Sequence, residues 1–327
     1  MVPDIEIQHL SVCFDTAQGP VYAVNDLSTT FRAGRISGVI GESGSGKSVM
    51  GMSLLRLLPN TARVTGKCFF GEDELYSMPL RRLRRLRGAA IGLIPQNPGA
   101  SLDPVMKLRR QLTEAITTHG RWKRREAEAQ AAELLRRFGF EEPERILNQY
   151  SFQMSGGMNQ RLVSALGLAC RPGWVIADEP TPGLHITAAR RVLSHFREIA
   201  DQGAGVLLIT HDLGIVANFC DAVSIMYAGE IIEQGTLEDI FDKEREHHPY
   251  TIGLFGSIPN IEDQRDRLSP IPGLMPDPTD LPKGCKFHTR CPKCTEQCKD
   301  GEVPVHVRGT HQIKCRLIED AAANGGV

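Results

Sequence analysis

The sequence predicts an α/β fold: a largely parallel sheet covered on both faces, with a helical insertion and an appended tail. Three observations predict it. Apolar runs of strand length occupy 36–40 (ISGVI), 173–177 (GWVIA) and 204–210 (AGVLLIT), as strands buried on two faces require. A glycine-rich loop starting at Gly41 follows the first run and leads into a helical stretch at 48–58. A helical stretch at 188–200 separates the other two, the alternation of a strand–helix–strand unit.

The remaining elements fall around this core. Residues 5–12 alternate in part and read as a strand. Residues 102–138 are helical and charged, centred on LTEAITTHGRWKRREAEAQAAELLRRF. After residue 241 the composition changes, and Pro259, Pro270, Pro272, Pro276, Pro278 and Pro282 mark an irregular connector. The closing AAANGGV reads as a frayed end. No internal repeat is evident.

Composition narrows the function classes. With 327 residues, 41% hydrophobic and 24% charged, the chain reads as an ordinary globular protein, longer than one compact domain needs. A net charge of -1 gives no global field for nucleic acid. The basic run at 81–87 (RRLRRLR) reads as a solvated helix face. No stretch approaches the roughly 18 to 20 apolar residues of a membrane span. The N-terminus lacks a basic region followed by an apolar one. The expectation is a cytoplasmic protein that reaches a membrane only through partners.

The chemistry is concentrated in a few segments. Gly41-Glu-Ser43-Gly44-Ser45-Gly46-Lys47-Ser48 fits G-x-x-x-x-G-K-[ST]. Such a loop wraps its backbone N–H groups around phosphate oxygens, and the following helix turns its positive end to the same anion. Lys47 reaches the β- and γ-phosphates, and Ser48 offers a hydroxyl to Mg²⁺. The 173–177 strand runs into Asp178-Glu179. In the strand–loop–helix context, Asp178 suits Mg²⁺ and Glu179 suits the general base that polarises water; alone, two such acids could simply cap a helix. His211 ends the next strand in LLITHD, where it can contact the γ-phosphate.

At this point the motifs resemble those of ABC ATPases. Ser155-Gly156-Gly157-Met158-Asn159-Gln160-Arg161 is similar to the signature motif of that family, and it lies just upstream of the acidic strand. Gln96 in IGLIPQNP looks like the glutamine of its Q-loop, His211 like its switch histidine, and Phe14 like the aromatic that stacks on adenine. The resemblance spans roughly residues 5 to 240. It implies a RecA-like core with an N-terminal antiparallel β subdomain, a helical subdomain at about 97–165, and Mg²⁺ held by Ser48, Gln96 and Asp178. It also implies that two cassettes pair head to tail, each ATP lying between one phosphate loop and the other subunit's Ser155-Gly156-Gly157. One departure stands out: the acid that usually closes the D-loop is replaced by His185 in Pro182-Gly183-Leu184-His185. Two readings remain, a heterodimer with one weakened site or a tolerated substitution, and the first is preferred.

The tail, residues 241–327, carries a second resemblance. His247-His248-Pro249-Tyr250-Thr251 and Gly284-Cys285 through Arg290-Cys291-Pro292 are similar to the C-terminal region of oligopeptide and dipeptide transporter ATPases. That branch implies the ATP-hydrolysing motor of an importer on the cytoplasmic face of the inner membrane. Its partners would be a second ATPase, two transmembrane permease subunits and an extracytoplasmic substrate-binding protein, with no nucleic acid. Peptides are the expected substrate, and nickel or another small solute is the alternative. A soluble, non-transport ABC ATPase is the rival class. Four of the nine cysteines (Cys13, Cys68, Cys170 and Cys220) read as small core residues. The other five form C-x5-C-x2-C-x3-C-x16-C. The family resemblance implies Cys285, Cys291, Cys298 and Cys315 as ligands of a [4Fe-4S] cluster, with Cys294 an alternative ligand. Zn²⁺ held by four thiolates, with Cys291 and Cys294 as a C-x2-C pair, and unmetallated thiols are the other readings.

Overall fold

The computed structural model describes residues 1–118, 122–256 and 271–318. Residues 259–270 of the expected connector and the expected frayed end lie outside the described residues, while the connector from 271 to the cysteines forms no helix or strand. Twelve strands appear in order: β1 (Ile5–Thr16), β2 (Gly19–Phe31), β3 (Ile36–Ile40), β4 (Ala62–Phe70), β5 (Asp73–Glu74), β6 (Ile91–Ile94), β7 (Trp174–Asp178), β8 (Gly205–Ile209), β9 (Ala222–Tyr227), β10 (Glu230–Thr236), β11 (Val305–Arg308) and β12 (His311–Lys314). The helices are α1 (Lys47–Leu54), α2 (Leu80–Leu86), α3 (Pro98–Ser101), α4 (Leu108–Thr117), α5 (Arg124–Arg137), α6 (Pro143–Leu147), α7 (Gly156–Leu168), α8 (Ile186–Asp201), α9 (Leu213–Phe219), α10 (Leu237–Phe241) and α11 (Pro249–Gly256). The chain divides into two compact units.

The first unit comprises residues 1–5, 31–37 and 69–210. Its strands β6, β7 and β8 run parallel in that order, with Ile94 opposite Ala177 and Asp178 opposite Ile209. Strands β7 and β8 are buried at every position, which is why they read as unbroken apolar runs rather than alternations. Trp174 anchors the start of β7, its indole donating to the Pro3 carbonyl at 2.7 Å. In the helical insertion α4 packs against α5. Leu108, Leu112 and Ile116 on α4, and Ala127, Ala131 and Leu135 on α5, recur every four residues and are buried, each set forming one apolar stripe. On α2 the arginines at 81, 82, 84 and 85 are exposed and Leu83 is buried, the solvated face expected from the sequence.

The second unit comprises residues 6–30, 38–68 and 211–327. It holds the antiparallel strands β2, β1 and β4 in that order, and a second array ordered β11-β12-β10-β9-β3. Here the tail departs from the irregular structure expected of it. Strands β11 and β12 form a hairpin that joins the edge of β10, with Glu233 opposite Ile313. Four-residue strands are too short to stand alone. The open edge of β10 supplies their hydrogen bonds. Residues 285–304 stay irregular apart from a 3₁₀ turn at Glu296–Cys298.

Candidate nucleotide site and cysteine-rich tail

The phosphate loop leaves β3 and enters α1. Gly46 is the N-cap, at φ 97°, and a side chain there would meet the Ala23 carbonyl at 2.2 Å. Only glycine meets both demands. Lys47 is buried, and its Nζ donates to the carbonyls of Gly41 and Glu42, both at 2.8 Å. The ammonium is thus held over the loop's own backbone. The loop is braced from the β9–β10 turn: Ala228 and Gly229 both take positive φ, and the Gly229 N–H donates to the Ser45 carbonyl at 3.0 Å. Ser45 is fully buried, Ser48 half-buried, and Ser43 and Gly44 are exposed at the tip. Phe14 lies half-buried on β1. His211 is exposed, two residues past β8, and the next residue, Asp212, caps α9 through the Gly214 and Ile215 amides.

In the first unit, the parallel register brings the C-terminal ends of β6, β7 and β8 to one edge. Asp178 ends β7 and Glu179 follows it, both buried. Glu179 holds φ at 48°, a left-handed conformation costly for a residue with a side chain and concentrated at functional sites. Its amide donates to the Ile209 carbonyl at 2.9 Å, and Thr210 Oγ1 donates to its Oε2 at 3.4 Å. Gln96 is exposed, two residues beyond β6.

The signature segment opens α7. Ser155 is the N-cap, its Oγ accepting the Met158 amide at 3.2 Å. A side chain at Gly156 would meet open space, whereas one at Gly157 would approach the Gly183 carbonyl at 2.9 Å. The signature helix and the D-loop therefore touch through backbone. His185 is the exposed N-cap of α8 and makes no side-chain cap bond there. Its Nδ1 pairs instead with Thr187 Oγ1 at 3.1 Å.

The tail is fastened by a polar knot that gathers the His247-His248-Pro249-Tyr250-Thr251 segment around Glu233, a partner the sequence does not point to. Glu233 on β10 is 1% exposed. Its Oε1 receives His247 Nδ1 at 2.6 Å and His311 Nε2 at 2.8 Å, and its Oε2 receives the His248 amide at 2.8 Å and Thr251 Oγ1 at 2.6 Å. Burial alone would push this carboxyl up, but the donors from His247, His311 and Thr251 hold it down to about 2. His247 presents its other nitrogen to the Asp242 carbonyl at 2.8 Å. Both ring nitrogens thus face acceptors, an arrangement that favours the protonated ring. Burial opposes that charge, and Glu233 and the carbonyl overcome it and raise its pKa. With four donors on its two oxygens, Glu233 is an anchor rather than a metal ligand.

The five tail cysteines are free thiols, Cys298 and Cys315 buried and Cys285, Cys291 and Cys294 half-buried. Burial pushes the Cys285 thiol up to about 11, and the nearby thiols of Cys315, Cys298 and Cys291 push it further. Cys291 is raised by burial and by the thiols of Cys315, Cys294 and Cys298, and Cys315 by burial, by Cys298 and by Glu233. All five tail thiols, Cys294 included, therefore lie in one neighbourhood.

A second feature links tail to loop. Arg290 donates through both terminal nitrogens to the Glu42 carboxylate, at 2.9 and 3.1 Å. The Tyr250 hydroxyl accepts the Glu42 amide at 2.9 Å. Glu42, Tyr250 and Arg290 each lie in a segment singled out in the sequence, but no local pattern announces a contact between residues 248 apart.

A phosphate-cradling loop at a helix N-terminus and a strand ending in paired buried acids define a phosphate-loop ATPase, and the serine-capped Gly-Gly helix narrows the class to the ATP-binding cassette. Solved cassettes agree. The ATP-binding cassette MJ0796, solved as a dimer bound to ADP and Pi, matches with TM-score 0.65 at 23% identity, over 71% of this chain and 98% of that one. An ATP-binding subunit of an ABC transporter matches with TM-score 0.62 at 27% identity, over 75% and 93%. The ABC transporter family matches residues 24–182, and the C-terminal region of oligopeptide/dipeptide transporters matches 232–298. The oligopeptide transport ATP-binding protein OppD of Haemophilus influenzae is 40% identical over 91% of this chain and 92% of its own length. Its Salmonella typhimurium namesake is 39% identical over 90% and 88%. The dipeptide transport ATP-binding protein DppD of Haemophilus influenzae is 36% identical over 95% and 94%. The chain belongs to the ATP-binding subunits of ABC transporters, in the branch that carries the oligopeptide/dipeptide C-terminal region, and it is an ATPase. Among the described residues no helix is long and apolar enough to cross a membrane.

Proposed function

We propose that this chain powers uptake of di- or oligopeptides across the cytoplasmic membrane, from its inner face. The observation that carries the reading is the peptide-transporter tail behind a cassette with its ATP-site residues intact; the transport roles of its relatives support it. Nickel or another small solute is the alternative cargo, because selectivity belongs to other subunits.

Each residue has a role in that reading. The loop amides of Gly41–Ser48 and Lys47 take the β- and γ-phosphates, and Phe14 stacks on adenine. Ser48, Asp178 and Gln96 hold Mg²⁺. Glu179 polarises the attacking water and His211 attends the γ-phosphate. Ser155, Gly156 and Gly157 complete the ATP site of a second cassette, and the open space over Gly156 leaves room for a phosphate. ATP then favours the closed pair by its differential affinity, and hydrolysis releases it. The exposed His185 supports a partner cassette of different sequence. Val105, 83% exposed beside a groove lined by Asp103, Arg109, Arg110 and Arg124, supports a contact with one of two permease subunits. A substrate-binding protein would complete the assembly.

The tail thiols fit a [4Fe-4S] cluster on Cys285, Cys291, Cys298 and Cys315, which would tie four segments of a small subdomain together. Zn²⁺ held by four thiolates is the alternative, and Cys294, which lies among the same thiols, is a possible alternative ligand.

Gentle detergent extraction of the tagged chain from its own membranes tests the assembly. Recovery with a second ATPase, two multi-spanning subunits and a binding protein is expected. Recovery only from the soluble fraction would bring forward a non-transport ABC ATPase. Iron and acid-labile sulfide assays on anoxically purified protein test the cluster, and absence of both sinks it.

A further inference from the structure

We infer that Arg290 is a positioning residue of the phosphate loop, so that the cysteine-rich tail, within the same chain, sets the loop's grip on nucleotide; this rests on nucleotide binding at that loop. Glu42 is the second residue of the G-x-x-x-x-G-K-S segment. Lys47 bonds the Glu42 carbonyl, Tyr250 bonds its amide, and Arg290 bonds its carboxylate through two parallel N–H···O contacts. The Ser45 amide also donates to that carbonyl, at 3.2 Å. Every polar group of this loop residue is therefore held, and two of its four holders, Tyr250 and Arg290, come from the tail. A bidentate guanidinium–carboxylate pair fixes orientation as well as distance.

Arg290 is itself fixed. Its side chain is 4% exposed. Its Nε donates to the Pro272 carbonyl at 2.9 Å, and its terminal nitrogens also reach the Ile271 carbonyl and the Tyr227 hydroxyl, both at 3.3 Å. Its guanidinium sits 5.8 Å from the Tyr227 ring centre and 5.9 Å from that of Phe287. Tyr227, Tyr250 and Phe287, all buried, form a mutual cluster with ring centres 4.7 to 5.4 Å apart. This is a rigid aromatic post joining β9, α11 and the cysteine segment. A Cβ at Gly44 would meet the Met275 methyl at 3.3 Å, so the tail also lies against the loop's tip. Arg290 immediately precedes Cys291 in the chain.

The test is the affinity of the full chain for a fluorescent, non-hydrolysable ATP analogue with Mg²⁺. Four proteins are compared with wild type: Arg290→Met, Arg290→Lys, Glu42→Gln and the double Glu42→Gln/Arg290→Met. Arg290→Met and Glu42→Gln should each raise Kd about tenfold, as expected for loss of a charge-assisted pair. The double variant should be no weaker than either single, because both remove one clamp. Arg290→Lys should fall between, keeping the charge but not the fork. Effects that multiply in the double variant, or a Kd within twofold of wild type in both singles, overturn the inference. If Arg290→Met fails to fold by circular dichroism, Glu42→Gln and Arg290→Lys decide the question, since Glu42 is partly solvated. Wild-type protein that binds no analogue sinks the ATPase reading as well; wild-type binding with unchanged variants sinks this inference alone.

Discussion

At the scale of single residues, the site is marked by groups held where physics disfavours them. Glu179 is buried and left-handed, the kind of strain that clusters at functional sites. Glu179→Gln should cut steady-state ATP turnover by about a hundredfold or more, the range for loss of a general base. ATP affinity should persist, and comparing kcat with nucleotide Kd checks the split. His248 carries a second prediction. It is fully buried, and its Nδ1 accepts the Tyr250 amide at 3.0 Å, so the ring is held neutral. Burial pushes its pKa from 6.5 down to about 4. The sign follows: above pH 6.5 both folded and unfolded chains are neutral here, and below it only the unfolded chain takes the proton. Stability should therefore fall between pH 6.5 and about 4, by on the order of 3 kcal/mol at most. The neighbouring His247 has a raised pKa, so its contribution is fully present below 6.5 and does not add to that loss. Glu233 begins to lose its contribution only below its ordinary 4.5. His248→Asn, which retains an acceptor, should flatten the unfolding-versus-pH curve in this window. An unchanged slope would show the loss arises elsewhere.

At the scale of elements, α8 shows what a single departure does. Its N-cap is His185, which accepts no backbone amide, so a preferred capping position is unused. His185→Asp should stabilise the protein by about 1 kcal/mol through the cap, read as a rise in thermal midpoint. It should also strengthen ATP-dependent self-pairing, seen by light scattering, if the D-loop acid matters at the interface. The parallel strands and the phosphate loop are legible in the sequence because each announces itself locally: β7 and β8 are unbroken apolar runs, and G-x-x-x-x-G-K-S is one contiguous turn. The signature helix is legible as a motif, but its backbone contact with Gly183 is not. The tail hairpin is not legible because four-residue strands carry too little alternation to register, and the edge that orders them lies some 70 residues upstream in β10. The Glu233 knot and the Arg290 clamp are invisible for the same reason. Each gathers residues whose proximity exists only after the chain has folded.

At the scale of the whole molecule, the compact unit that contains the phosphate loop also contains the tail, while the acids belong to the other unit. A chain ended at residue 241 keeps every cassette motif but loses Tyr250, Phe287 and Arg290. Tyr227 is then stripped of its aromatic neighbours. Such a chain should bind ATP at least about tenfold more weakly and should bind a hydrophobic dye, whereas native affinity would make the tail a passive appendage. The bond between Arg290 and Glu42 also has a temporal side. It joins residues 248 positions apart. At synthesis rates of about 5 to 20 residues per second, the loop emerges from the ribosome tens of seconds before the arginine that clamps it. A nascent chain therefore carries its nucleotide loop for most of its synthesis without the clamp, and an interrupted one never gains it. If the clamp sets affinity as inferred, full grip on fuel comes only after Arg290 has been made and folded into place, which would limit ATP capture by a chain still short of it.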